Sequence, residues 1–295
     1  MLSYRHGFHA GGWADVHKHV AIALLLLHLR QKSTAFAVLD AFAGDAVYDL
    51  TGPEATKTRE FETGIARIWD EPNAPPGVVE YVAAVRTFND LGRDGAKLVR
   101  YPGSPALARA ALRDSDRLIL NELHPTAHRA LSAWALGDSR ISVHKRDAAE
   151  LLGALVTPQL RRGLILVDPA YEVKSEYETV PEALARAVKS WPRGTYALWY
   201  PVLAEARHRA LLASVHRVLG GMDGIEAIVT EVAPPSNPQG PTRGMQGAGL
   251  VIINQPWHFD DEMKVAGDWL AERLWRPRHG RHFICPLADY PASGA

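Results

Sequence analysis

Along most of the chain, short β-branched runs alternate with stretches of helical periodicity, and this alternation limits the fold more than any other feature. Strand-like runs occur at Phe36–Asp40, Arg117–Asn121, Ile141–His144, Gly163–Val167, Thr195–Tyr200, Ile225–Thr230 and Gly249–Ile253. Helical patterns fill Pro125–Leu136, Ala148–Leu155, Glu176–Lys189 and Glu205–Leu219. Parallel strands need long crossovers, and helices between strands supply them. The expectation is an α/β domain around a seven-stranded, mostly parallel sheet. Its last strand follows a loop over Pro234–Gly247 rather than a helix, which suits an antiparallel return beside the preceding strand.

The rhythm breaks between residues 51 and 100. Two helical patterns, near Glu54–Trp69 and Val78–Phe88, flank Pro72-Asn73-Ala74-Pro75-Pro76-Gly77, and no strand is expected there. The chain therefore divides into a main domain, residues 1–50 and 101–295, and a small helical insertion, residues 51–100, after the first strand. Upstream, Asp15 is placed to cap a helix running to about Leu29. After the insertion, Ser104 is placed as an N-cap with Pro105 in the first helical position. A helix near Asp260–Trp275 and a basic stretch with Arg276, Arg278, His279, Arg281 and His282 complete the chain.

Several function classes are poorly supported. Lys plus Arg and Asp plus Glu both number 33, so a general nucleic-acid coat protein is not expected, and any nucleic-acid contact must come from local patches. The single cysteine, Cys285, rules out an internal disulfide and fits a reducing cytosol. The apolar run Val20–Leu27 ends at His28 and Arg30, too short to cross a membrane, and it follows a polar start unlike a signal peptide. Neither GxGxxG nor GxxxxGK[ST] occurs, which argues against a nicotinamide dehydrogenase or a P-loop ATPase. The first nineteen residues hold four histidines, but His17 and His19 are two apart and no HExxH pattern occurs, so no metal site is expected.

The chemistry concentrates at Asp168-Pro169-Ala170-Tyr171, directly after Leu164-Ile165-Leu166-Val167. A buried strand that stops at Asp-Pro delivers this loop to the carboxyl edge of the sheet, where open α/β folds bind ligands. A carboxylate and a proline carbonyl can each accept one hydrogen of a flat exocyclic amine, while Tyr171 stacks on the ring. Such a pocket suits methylation of an amino group on a base. Asp40, Glu122 and Asp147 also follow strand ends. Glu122 can accept the ribose hydroxyls of an adenosine cofactor, and Asp147 a hydrogen of its adenine amine. The small residues Ala41, Ala43 and Gly44 let a cofactor approach the backbone after the first strand. Four acids without a phosphate loop suit a cationic sulfonium cofactor better than a dinucleotide. Taken singly, each is equally readable as a strand-end or N-cap acid.

The chain resembles the bacterial methyltransferases that modify adenine N6 of 23S ribosomal RNA. Their N-terminal signature is close to Tyr4-Arg5-His6-x-Phe8-His9-Ala10-Gly11-x-x-Ala14-Asp15-Val16-x-Lys18-His19. Pro102-Gly103-Ser104-Pro105, Glu122-Leu123-His124-Pro125, Arg162-Gly163-Leu164-Ile165 and Trp199-Tyr200-Pro201 are also shared. The resemblance implies a Rossmann-like class I methyltransferase that uses S-adenosylmethionine and acts as a cytoplasmic monomer on 23S ribosomal RNA, with no metal and no membrane partner. It implies that Lys18, His19, Phe42, Ser104, Glu122, Asp147, Ala148 and Asp168 line the cofactor site. Asp168 would be catalytic, with Pro169 and Tyr171 holding the base, and Tyr4, Arg5 and His6 would meet the RNA. Ala170 stands where the family usually has a second proline, and Ala46 where a glycine is usual.

Two other readings compete. The pocket reads a base and not a sugar, so a DNA adenine-N6 methyltransferase would carry the same loop. A catalytically silent RNA-binding factor of ribosome assembly would keep the fold and tolerate the Ala170 and Ala46 departures.

Overall fold

The computed structural model describes residues 5–89, 97–156, 161–236 and 244–291. Its first long element is helix α1, Trp13–Arg30, in which every residue from Asp15 to Leu26 is buried. A helix buried all round must be covered on every side. One side of α1 packs on strands of the sheet, and the others meet helices of the insertion and of the C-terminal region. This enclosure explains why the run is apolar without spanning a membrane. Contrary to the sequence expectation, Asp15 does not cap α1: Gly12 is the N-cap, and the Asp15 carboxylate turns back to accept the Gly11 N–H at 3.1 Å.

The central sheet contains β1 (Ala37–Asp40), β4 (Arg117–Asn121), β5 (Ile141–His144), β6 (Gly163–Val167), β7 (Thr195–Leu203), β8 (Ala227–Ala233), β9 (Met245–Ile253) and β10 (Arg281–Pro286). Their spatial order is β10-β8-β9-β7-β6-β1-β4-β5. The five strands from β5 to β7 run parallel, and β9 returns antiparallel between β7 and β8 as the Pro234–Gly247 loop predicted. Among the described residues the sheet thus has eight strands rather than seven. The addition is β10, antiparallel to β8, with Phe283 opposite Glu231. Its Arg281 and His282 disguised a strand as a basic tail, because only pairing with β8 rewards the extended form.

Helices α7 (Ala148–Leu155), α8 (Glu176–Ser190) and α9 (Arg207–Leu219) cover one face of the sheet, while α1, α5 (Ser104–Ala111) and α10 (Phe259–Leu274) cover the other. Helix α6 (Pro125–Ala135) supplies the crossover between β4 and β5. The insertion is more divided than its periodicity predicted, with α2 (Pro53–Thr58), α3 (Ile65–Ile68) and α4 (Pro76–Thr87). It is closed by two short strands, β2 (Val47–Asp49) and β3 (Arg100–Pro102), paired antiparallel with Tyr48 opposite Tyr101. Its buried Ile65, Ile68, Val78, Tyr81 and Val85 share one apolar cluster with α1. Among the described residues, no helix is long and apolar enough to cross a membrane.

Candidate active site

The parallel ladder from β4 through β7 ends at a common edge, and each loop leaving it carries a polar group. Strand β6 delivers Asp168-Pro169-Ala170-Tyr171. The Asp168 side chain is 25% exposed, and its Oδ2 lies 2.7 Å from Lys18 Nζ. The ammonium of Lys18, only 7% exposed, also lies 2.9 Å from Asp15 Oδ1. Asp15 in turn accepts from His6 Nε2 at 2.8 Å. Burial opposes a charge on Lys18, yet Asp15 and Asp168 together hold its pKa well above the usual range. Burial likewise opposes the Asp15 carboxylate, and His6 and Lys18 overcome it and keep it well below the usual range. The result is a row of contacts, Asp15–Lys18–Asp168, that clamps Oδ2 of Asp168.

Tyr171 has φ of 54°, a left-handed conformation that costs a bulky residue about 1–3 kcal/mol. Its hydroxyl donates to the Trp199 carbonyl at 2.9 Å, and its ring lies 4.5 Å, centroid to centroid, from Tyr177. These contacts hold the turn against its strain. The Trp199 ring stands 6.3 Å from Tyr171 and 5.9 Å from Lys18 Nζ, and its buried Nε1 makes no hydrogen bond.

The neighbouring loops build a second set of groups. At the end of β1, Asp40 accepts from Ser104 Oγ at 2.6 Å and from the Phe42 N–H at 3.2 Å. Burial pushes its carboxyl up to about 7, against the pull of the Ser104 hydrogen bond. Ser104 therefore serves Asp40 and not the helix end predicted for it. Gly103 is the N-cap of α5, where an added Cβ would meet the Asp45 carbonyl at 2.4 Å. Glu122 binds loops with both oxygens, accepting the Gly44 N–H at 2.9 Å and the His124 N–H at 2.6 Å. Asp147 caps α7 through the N–H groups of Ala149 and Glu150, with half-buried Ala148 beside it. Phe42 is half-buried over the α7–α9 face.

Other predicted residues lie elsewhere. His19 is buried under the insertion, its Nδ1 2.8 Å from Tyr101 Oη, which meets Tyr81 Oη at 2.9 Å, and burial drives its pKa down to about 3. Arg5 is exposed and pairs with Glu54 at 2.8 Å, whereas His6 belongs to the Asp15 chain. Tyr4 lies outside the described residues. Sequence reasoning missed Asp15 as the partner of Lys18, although their i,i+3 spacing on a helix was legible. It also missed Asn121, whose buried amide ties the Ala41 carbonyl to the Arg146 backbone at 3.0 Å on each side. No cluster of three or more metal-ligating side chains occurs among the described residues.

An open parallel sheet with acids at the ends of β1, β4 and β6, another after β5, and no phosphate-binding glycine loop defines the class: this is a class I methyltransferase. Residues 33–284 match the family described as RsmJ, ribosomal RNA large subunit methyltransferase D, RlmJ, and the chain belongs to that family. It is 39% identical over 274 residues to ribosomal RNA large subunit methyltransferase J of Escherichia coli K12, covering 93% of this chain and 94% of that protein. The protein of the same name in Haemophilus influenzae is 36% identical over 274 residues, with the same coverage of 93% and 94%. A crystal structure of a Legionella pneumophila protein superposes with a TM-score of 0.84 at 33% identity, covering 94% of this chain and 98% of that one.

Proposed function

We propose that this protein transfers the methyl group of S-adenosylmethionine to N6 of an adenine in 23S ribosomal RNA. Membership of the RlmJ family supports the substrate class, and the acidic sheet edge supports the donor. The Gly44 turn has φ of 61°, and the small residues around it leave the backbone open to close approach. Glu122 and Asp147, already oriented by backbone N–H groups, keep lone pairs for ribose and adenine donors. Ala148, Phe42, Ser104, Lys18 and His19 complete the proposed cofactor set, with Lys18 and His19 acting from behind through Asp168 and Tyr101. When bound, S-adenosylmethionine supplies the electrophilic methyl group on a sulfonium.

The observation that carries the reaction type is the clamped Asp168 carboxylate. Lys18 occupies Oδ2, so Oδ1 is oriented to accept one hydrogen of the exocyclic amine of a base drawn out of its stack. The Pro169 carbonyl accepts the second hydrogen, and Tyr171 borders the ring. Two acceptors favour a pyramidal nitrogen and stabilise the positive charge it develops as it attacks. Lys18 fixes the Asp168 carboxyl in place, so Asp168 acts by position and hydrogen bonding rather than as a strong base, and the acidic proton of the methylated nitrogen passes on to solvent. Replacement of the second proline by Ala170 removes no acceptor from this set.

The N-terminal signature is held by the insertion through Arg5–Glu54 and His9–Glu60, both at 2.8 Å. This supports residues 51–100 as a subdomain that presents Tyr4, Arg5 and His6 to RNA. The protein is proposed to act as a monomer, and the ribosomal substrate supports work in the cytoplasm.

The test is transfer of labelled methyl to large-subunit ribosomal RNA from cells lacking this protein, followed by nucleoside analysis. Label in N6-methyladenosine, lost in Asp168→Ala, is expected. Label in DNA at an equal rate, or Asp168→Ala turning over like wild type, would defeat the reading.

A further inference from the structure

Tyr177, whose ring packs on Tyr171, also lines a cleft of about 400 Å³ between α8 and α9. Tyr177 therefore stands between the cleft and the Asp168 turn, and the cleft follows the helix layer. Its walls differ in charge. Arg207 and Arg217 stand on the α9 side, while Glu178 and Glu182 stand on the α8 side, with Lys174 just before it. Opposite charges facing each other across a groove usually pair, yet no ion pair among the described residues includes any of these five. The Arg217 guanidinium instead donates to Ser214 Oγ at 2.9 Å, on its own helix.

We propose that this cleft holds the single-stranded RNA segment next to the methylated adenine, with phosphates along α9 and base or ribose donors toward α8. This inference rests on the reading of the protein as an RNA adenine methyltransferase and adds a substrate site to it. A guanidinium recognises a phosphate through paired N–H donors. The two carboxylates repel a phosphate but accept from base amino groups and from 2′-hydroxyls, so the groove sorts the two edges of a strand and fixes its direction. Arg207 and Arg217 lie ten residues apart on one helix, which separates them by about 15 Å along the axis, a span for more than one phosphate. The cleft volume lies at the low end of ligand pockets and cannot admit a duplex. RNA must therefore be unpaired where it leaves the active site, as a flipped base also requires.

The experiment compares wild type, Arg207→Ala/Arg217→Ala and Arg207→Lys/Arg217→Lys, using a 23S RNA fragment that wild type methylates. Methyl transfer, RNA binding at several salt concentrations and donor binding are all measured. The alanine pair should raise the RNA KM about fivefold per arginine, with kcat and donor affinity unchanged. Its log–log salt slope should fall by about 0.7 for each phosphate that is no longer neutralised. The lysine pair should recover most of the slope but only part of the affinity, because lysine lacks the guanidinium fork. An alanine pair with wild-type RNA affinity and salt slope would overturn the proposal, and so would a loss confined to kcat or to donor binding. If wild type itself yields no N6-methyladenosine, the reaction assignment fails first and the cleft assignment with it.

Discussion

Lys18→Met tests the clamped carboxylate most directly. The variant keeps the length of the side chain and removes the charge, leaving Asp15 and Asp168 without the ammonium between them. Removing one member of a buried ion pair costs about 3–5 kcal/mol, because the remaining charge stays desolvated. The lower end applies here, since Asp15 keeps His6 and the Gly11 N–H and Asp168 is partly exposed. About 3 kcal/mol corresponds to a melting temperature lowered by roughly 6 °C for a chain of this size. Turnover should fall far more than stability explains, because Asp168 loses the contact that orients it. Calorimetry and single-turnover methyl transfer, both carried out below the variant's melting point, separate these effects. A variant that melts with wild type and keeps its single-turnover rate would refute the clamp. Asp15→Asn should give a weaker copy of the same phenotype, since Lys18 retains Asp168.

Asp40 has a carboxyl raised from 3.8 to about 7 by burial, so the folded state binds its proton more tightly than the unfolded chain. Its contribution to stability is full below about 3.8 and is lost as pH rises toward 7; Asp40→Asn should flatten that part of a melting-temperature profile, and an unchanged profile would contradict the burial argument. Glu122→Ala should raise the KM for S-adenosylmethionine about tenfold and leave the RNA KM unchanged, as read by initial rates; the reverse pattern would remove Glu122 from the cofactor set. Tyr171→Phe strands the Trp199 carbonyl and should cost about 1–3 kcal/mol in urea unfolding while retaining methyl transfer, since the ring remains. Gly249 lies opposite both Tyr200 and Glu231, and an added Cβ would meet the Tyr200 hydroxyl at 2.4 Å. Gly249→Ala should therefore break the 2.6 Å Tyr200–Glu231 hydrogen bond and destabilise by about 1–3 kcal/mol, measurable in the same assay.

Periodicity and strand-end chemistry were enough to place seven of the eight described sheet strands and the loop that carries Asp168. These features are local: a buried parallel strand must be apolar, a crossover must be helical, and Asp-Pro must end the strand before it. The acids at Asp40, Glu122 and Asp147 were legible for the same reason, but their partners were not. Ser104 reads as an N-cap because its neighbours in sequence favour one, and only the approach of α5 to the end of β1 gives its hydroxyl to Asp40. The strand β10 stayed hidden because Arg281 and His282 carry no apolar alternation of their own.

The sequence by itself determined the fold class, the sheet edge proposed for the chemistry and the Asp-Pro-Ala-Tyr loop, since each depends on residues adjacent along the chain. Tertiary structure decided the rest: that Lys18 meets Asp168 across 150 positions, that His19 turns into the insertion, and that α8 and α9 form an unpaired charged cleft beside Tyr171. The physical reason is that the strength of a charge depends on its desolvation and its neighbours, and both are set by packing between elements distant in sequence.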